Sequence, residues 1–276
     1  MKWQGRAGSA NIEDRRGMRM AMPIGGGIGG IVLLLLYSAL TGQNPIDLVN
    51  SGAPTEEVAP TGAPANDPQA QFISVVLKST EDVWTKVFDE HSARYETPVL
   101  VLFSDATQSA CGLGQSAMGP FYCPRDRKVY LDLSFFQDLA QRFGAPGDFA
   151  RAYVVAHEVG HHVQTLTGVS DRVAAAREQG DRASGNALSV RQELQADCYA
   201  GVWGHYAARE GLVEPGDAED GLRAAAAIGD DRLQKQSQGR VVPESFTHGS
   251  SAQRVEWLNR GLESGRLESC DTFTSR

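Results

Sequence analysis

The chain has 276 residues, with 34 acidic and 26 basic side chains and a formal net charge of −8. That length leaves room for one sizeable domain with extensions, and the negative balance argues against nucleic acid as a partner. None of the four cysteines, Cys111, Cys123, Cys198 and Cys270, forms a C-x-x-C pair, so a cysteine-built structural zinc site is excluded.

In chain order, Lys2, Arg6, Arg15, Arg16 and Arg19 outweigh Glu13 and Asp14 and suggest a basic tail over 1–20. Ala21 to Leu40 carries no charge, and Ile31 to Leu36 is aliphatic throughout. About 20 such residues suffice to cross a hydrocarbon core of about 30 Å, so one transmembrane signal anchor is expected over 21–41, with membrane as a partner. The positive-inside rule then puts the N-terminus in the cytoplasm and everything after the anchor outside, in a single-pass arrangement. Pro45, Pro54, Pro60, Pro64 and Pro68 mark 42–70 as a disordered Pro/Ala-rich linker. The remaining 71–276 is expected to be one domain.

Within it, apolar spacing predicts one or two helices from 71 to about His91, and the β-branched run 98–103 predicts a buried strand. Residues 105–124 read as a Gly/Ser-rich loop. Lys128 to Leu133 alternates as a half-buried strand, and Ser134 precedes a short helix. Phe149, Ala152, Ala156, Val159, Val163 and Leu166 recur at three and four residues, with Asp148 as N-cap and Gly168 as stop. Further helices are expected at 170–180, from a Ser189/Gln192 capping box to about Glu210, from Asp217 to about Gln236, and from a Ser250/Gln253 capping box to Leu262. The fold class is therefore α+β, mostly helical, with a small β-sheet.

The predicted helix after Asp148 carries His157-Glu158-Val159-Gly160-His161. One turn brings both imidazoles to one face, where they can share a metal ion, with Glu158 beside the position a water would take. This is a minimal zinc-hydrolase arrangement, with one Zn2+ per chain and Glu158 as general base. A third ligand must come from another element. Glu193 is the best candidate, and Asp197, one turn later, can accept the second N–H of a ligating imidazole. His205, Glu178 and Asp181 are rivals. His162, at i+5 from His157, points away and suggests a polar surface role. An even cysteine count suits disulfides: Cys111 and Cys123 could close the Gly-rich loop and Cys198 and Cys270 could tie down the C-terminus, with a buried free thiol at Cys198 as the alternative.

Taken together, Ala110-Cys111-Gly112, Gly119-Pro120-Phe121-Tyr122-Cys123-Pro124, Val129-Tyr130-Leu131-Asp132, Ala156 to Gln164, Glu193 to Trp203 and Thr247 to Arg254 resemble the bacterial neutral zinc metallopeptidase family, the YpfJ-type predicted metalloproteases. The resemblance spans roughly 70–270. It implies a gluzincin-like site in a zincin-like domain, with His157, His161 and Glu193 as ligands and Glu158 as base. A membrane-anchored zinc endopeptidase is then expected in the bacterial cytoplasmic membrane, its catalytic domain periplasmic or extracellular. His248 is the candidate oxyanion donor, with Tyr199 and Arg254 as alternatives. A polypeptide substrate is expected to lie extended along the strand Val129–Asp132, taken as the sheet edge. The competing functions are a non-catalytic, zinc-stabilised envelope scaffold or adaptor and a zinc amidase acting on cell-wall amide bonds.

Overall fold

A computed structural model describes residues 1–17 and 59–274. Helices pack on one face of a four-stranded sheet made of β1 Ile12–Asp14, β2 Val99–Phe103, β6 Lys128–Asp132 and β5 Phe121–Cys123, in that spatial order. The first two pairings are parallel and the last antiparallel. Period-two alternation sorts the side chains. Leu100, Leu102, Val129 and Leu131 face the helices, while Val101, Phe103 and Tyr130 face away. That second face is covered too. A hairpin of β3 Ala106–Ser109 and β4 Gly112–Gln115 lies over it, with Gly114 so close to the Phe121 ring that a Cβ would sit 2.4 Å from it. The segment expected as plain loop is thus a hairpin plus the edge strand. β6, expected at the edge, has neighbours on both sides, so its backbone groups are spent on β2 and β5 and a substrate has none to pair with. Among the described residues the open edge on that side belongs to β5.

β1 corrects a larger expectation. Ile12 is fully buried, Trp3 packs edge-on against Phe72 and donates to Asp148, and Arg16 bridges Asp14 and Asp67. Thr61 and Gly62 donate backbone hydrogen bonds to the Ile12 carbonyl. The first residues therefore belong to the domain and are not a separate basic tail. Residues 12–14 and 99–103 share a sheet, so both lie on the same side of any membrane. Among the described residues no helix is long and apolar enough to cross a membrane; the span expected as the anchor, 21–41, lies outside them. The transmembrane helix, and the single-pass location with a cytoplasmic N-terminus, do not stand.

The helices are α1 Pro68–Glu90, α2 Phe135–Gln141, α3 Asp148–Leu166, α4 Val169–Gln179, α5 Arg182–Arg209, α6 Asp217–Ala227, α7 Asp230–Gln238 and α8 Ser251–Ser264. Asp67 caps α1 by accepting from the amides of Gln69 and Ala70, with Pro68 at its first position. Gly147, not Asp148, precedes α3; Asp148 sits in the first turn, where its charge suits the helix dipole and pairs with Arg151. α5 is capped by Asp181, whose side chain accepts from the Ser184 amide, and runs through the expected Ser189/Gln192 start. Ser189 instead returns its hydroxyl to the Gly185 carbonyl inside the helix. The single helix expected over 217–236 is broken at Gly229, where a Cβ would lie 2.4 Å from the Ser251 amide. The Ser250/Gln253 capping box on α8 is present. Cys111–Cys123 and Cys198–Cys270 are disulfides, and among the described residues no cysteine is free.

Candidate metal centre

α3 and α5 lie side by side because Gly160 has no side chain. A Cβ there would meet the Ala196 carbonyl oxygen at 2.9 Å and its Cα at 3.1 Å. This close approach carries Glu193 of α5 to the two imidazoles of α3. The ligand atoms of His157, His161 and Glu193 all lie within 4.8 Å of one another. With metal–ligand distances of about 2.0–2.2 Å, a tetrahedral site spaces its ligand atoms about 3.3 Å apart. His157 Nε2 is 3.1 Å from Glu193 Oε2, and His161 Nε2 is 3.4 Å from Glu193 Oε1. Two imidazoles and a carboxylate at this spacing fit zinc.

Each ring is held by its other nitrogen. His157 Nδ1 donates to Asp197 Oδ1 at 2.8 Å. Asp197 is fully buried and also receives Arg254 Nε at 2.9 Å, Arg254 Nη2 at 2.9 Å and the Tyr153 hydroxyl at 2.6 Å. Burial alone would raise the Asp197 carboxyl, but the Arg254 and His157 charges outweigh it and hold the group down at about 2. Asp197 therefore stays ionised and His157 Nδ1 stays the donor. Removing Arg254 strands that buried charge. Arg254→Met is expected to cost about 3–5 kcal/mol of stability, read by thermal or denaturant unfolding.

The sequence that builds this centre matches a known family. The family described as putative neutral zinc metallopeptidase matches residues 1–273. The chain belongs to that family. Among its relatives, Uncharacterized protein YpfJ of Escherichia coli (strain K12) is 49% identical, the match covering 99% of each chain. Uncharacterized protein Rv2575 of Mycobacterium tuberculosis is 43% identical, over 84% of this chain and 81% of its own. No solved structure matches the chain.

The other predicted residues of this family member fall as follows. Glu158 is buried beside the ligands, and burial raises its carboxyl while the neighbouring imidazoles act against it. His248 is half exposed on the turn before α8. Its Nδ1 faces Asp230 Oδ1 at 3.2 Å, and the Thr247, His248 and Gly249 amides all donate to Asp230 Oδ2. The Glu193 charge reaches it. Asp230, which no motif marks, fixes this turn. The alternative oxyanion donors are engaged elsewhere: Arg254 on Asp197, Tyr199 buried edge-on against Trp84. The rival ligands are too. His205 is three turns beyond Glu193 on α5 and faces the Leu262 carbonyl, Asp181 caps α5, and Glu178 is exposed on α4. His162 is fully buried rather than on the surface. It bridges the Glu96 carbonyl and the Tyr122 hydroxyl, and burial pushes it down to about 4. It thereby anchors β5 beside α3.

Without metal the centre holds charge in a pH-dependent way. Burial would lower the His157 imidazole, but Asp197 and Glu193 raise it from 6.5 to about 10. A folded-state value above the unfolded one stabilises fully below pH 6.5 and is lost as pH rises toward 10. Zinc requires the neutral ring and takes the proton's place. Unfolding temperature of the metal-free protein is thus expected to fall from about pH 6.5 to about 10, and the stabilisation given by added zinc to grow over the same range, both readable by calorimetry.

Proposed function

We propose that this chain is a zinc-dependent endopeptidase. The observation carrying the reading is the convergence of His157, His161 and Glu193 ligand atoms within 4.8 Å, with Glu158 buried beside them. Zinc bound there supplies a Lewis acid and an acidified water. Glu158 accepts the water's proton and returns it to the leaving amine. His248, whose Nδ1–H donates to Asp230, is favoured by that bond as the imidazolium, and in that form it offers its Nε2–H to the oxyanion formed on the substrate carbonyl. Asp197 keeps His157 turned toward the metal. The substrate backbone pairs along the open edge of β5, Phe121–Cys123, which His162 holds against α3, with the hairpin tied by Cys111–Cys123 alongside. Such pairing gives binding with little sequence preference.

The test is a metal analysis of purified protein paired with digestion of casein and of peptidoglycan, with and without chelator. Stoichiometric zinc and chelator-sensitive cleavage of casein are expected. Release from peptidoglycan alone would make it a cell-wall amidase, and bound zinc with no turnover on either would make it a scaffold. His248→Phe is expected to lower kcat by roughly 100-fold with zinc content unchanged, as for loss of an oxyanion donor.

A further inference from the structure

Among the described residues no carboxylate hydrogen-bonds to Nδ1 of His161. Its Nδ1 meets Gln164 Oε1 at 2.9 Å. Gln164 Nε2 donates to the Gln192 carbonyl at 2.7 Å and to Gln195 Oε1 at 3.1 Å. Gln195 Nε2 in turn donates to the Cys270 carbonyl at 3.0 Å. Both glutamines are buried, at 0% and 5% exposure. The two backbone carbonyls only accept, so each amide has one possible orientation. Its nitrogen faces the carbonyl and its oxygen faces the other way. The row is therefore polarised from end to end. His161 Nδ1 must carry hydrogen, and Nε2 must present its lone pair to the ligand cluster.

We propose that Gln164 and Gln195 are positioning residues, a buried amide relay that fixes the metal-facing nitrogen of His161 and ends on disulfide-bonded Cys270. The proposal rests on the reading of the centre as a zinc site. The far end of the relay is held firmly. Cys270 is bonded to Cys198, and beyond it Thr272 donates to the Arg191 carbonyl while Arg191 donates to the Phe273 carbonyl. Cys198 directly follows Asp197, so one disulfide borders the supports of both imidazoles: the charged one behind His157 and the neutral one behind His161. A neutral relay suits the second ring. A second buried carboxylate there would add negative charge to Glu158, Glu193 and Asp197 without an Arg254 to offset it.

The experiment measures zinc affinity by chelator competition and the ring N–H of His161 by proton–nitrogen correlation NMR, in the whole chain. Gln164→Met removes the acceptor and is expected to weaken zinc roughly 10- to 100-fold, as for other supports behind a ligating imidazole. The protected Nδ1–H signal should vanish with it. Gln164→Glu keeps an acceptor for His161, so it should retain the Nδ1–H signal that Gln164→Met loses, while its second oxygen faces the Gln192 carbonyl and Gln195 Oε1 and its charge has no Arg254 to offset it, so its cost should appear in stability. A relay that served only to fill space would respond alike to both. Gln195→Met and the pair Cys198→Ala with Cys270→Ala should each weaken zinc less, and combined they should fall short of the sum because they cut one row of bonds. If Gln164→Met binds zinc as wild type does and keeps the Nδ1–H signal, the relay has no such role. Should Gln164→Met not fold, Gln195→Met decides by the same two readouts. A wild-type chain that takes up no zinc overturns the reading of the centre and the relay together, whereas zinc-replete wild type with indifferent relay variants overturns the relay alone.

Discussion

Glu158→Gln is expected to abolish hydrolysis while zinc stays bound. The amide has the shape of the carboxylate but cannot take up a proton, so the variant isolates the proton transfer from the packing. Position matters here as much as chemistry. Glu158 follows His157 directly on α3, so it sits next to the candidate metal centre without belonging to the proposed ligand set, and it is 8% exposed. Burial raises its carboxyl, which brings its proton affinity closer to that of the water it must relieve. Removal of a positioned base of this kind lowers turnover by roughly 100- to 10,000-fold. The expected pattern is a collapse of kcat with little change in KM and an unchanged zinc content. Glu193→Gln is the contrast, since it weakens a metal ligand and should lose zinc and activity together. If Glu158→Gln cleaves casein as fast as wild type, the proton is taken by another group and the proposed division of labour is wrong.

Much of this site is written in local signals. Two imidazoles four residues apart within a 3.6-residue apolar rhythm define a helix face, and both are neighbours on α3. Glu193 and Asp197 obey the same spacing on α5 and reach the same centre. The capping box on α8 and both cysteine pairings are likewise local or combinatorial. What stayed hidden depends on contacts distant in sequence. β1 is three residues, two of them acidic. Its Glu13 is fully buried, satisfied by Arg15 and by Lys128 from another strand, and nothing nearby in sequence announces that. Hydropathy marked 21–40 as apolar but is blind to where its flanks are held; the flank before it belongs to the sheet. Gln164 and Gln195 have no motif, because an amide becomes a support only when a carbonyl far along the chain fixes its orientation. The approach of α3 to α5 at Gly160 sits inside the His157–His161 motif, yet reads there as an arbitrary position.

Gly261→Ala is expected to be the most damaging single methyl in the helical layer. α8 crosses α5 where Gly261 meets Gly201. A Cβ on Gly261 would lie 2.0 Å from the Cys198 carbonyl oxygen and 2.8 Å from the Gly201 Cα. One on Gly201 would lie 2.2 Å from the Leu258 carbonyl oxygen. These obstacles are backbone, so no rotamer change relieves them and the helices must move apart. Extra methylenes in a packed core commonly cost about 1–3 kcal/mol, and a backbone obstacle puts this site at or above about 3 kcal/mol. For a domain of this size that is a fall of roughly 6–12 °C in Tm. Gly180→Ala is the control, because its Cβ would find only ordinary contact at 3.4 Å. The damage should also reach the metal centre. Arg254 is on α8 and Asp197 on α5, and the crossing sets the distance between them. Prising it open lengthens the bonds that keep Asp197 on His157, so zinc affinity should drop along with Tm, and the drop should persist at temperatures where the variant remains folded. An unfolding midpoint equal to that of Gly180→Ala would mean the two helices have slack at the crossing, and the support of His157 would then have to come from the Tyr153 and Arg254 bonds alone.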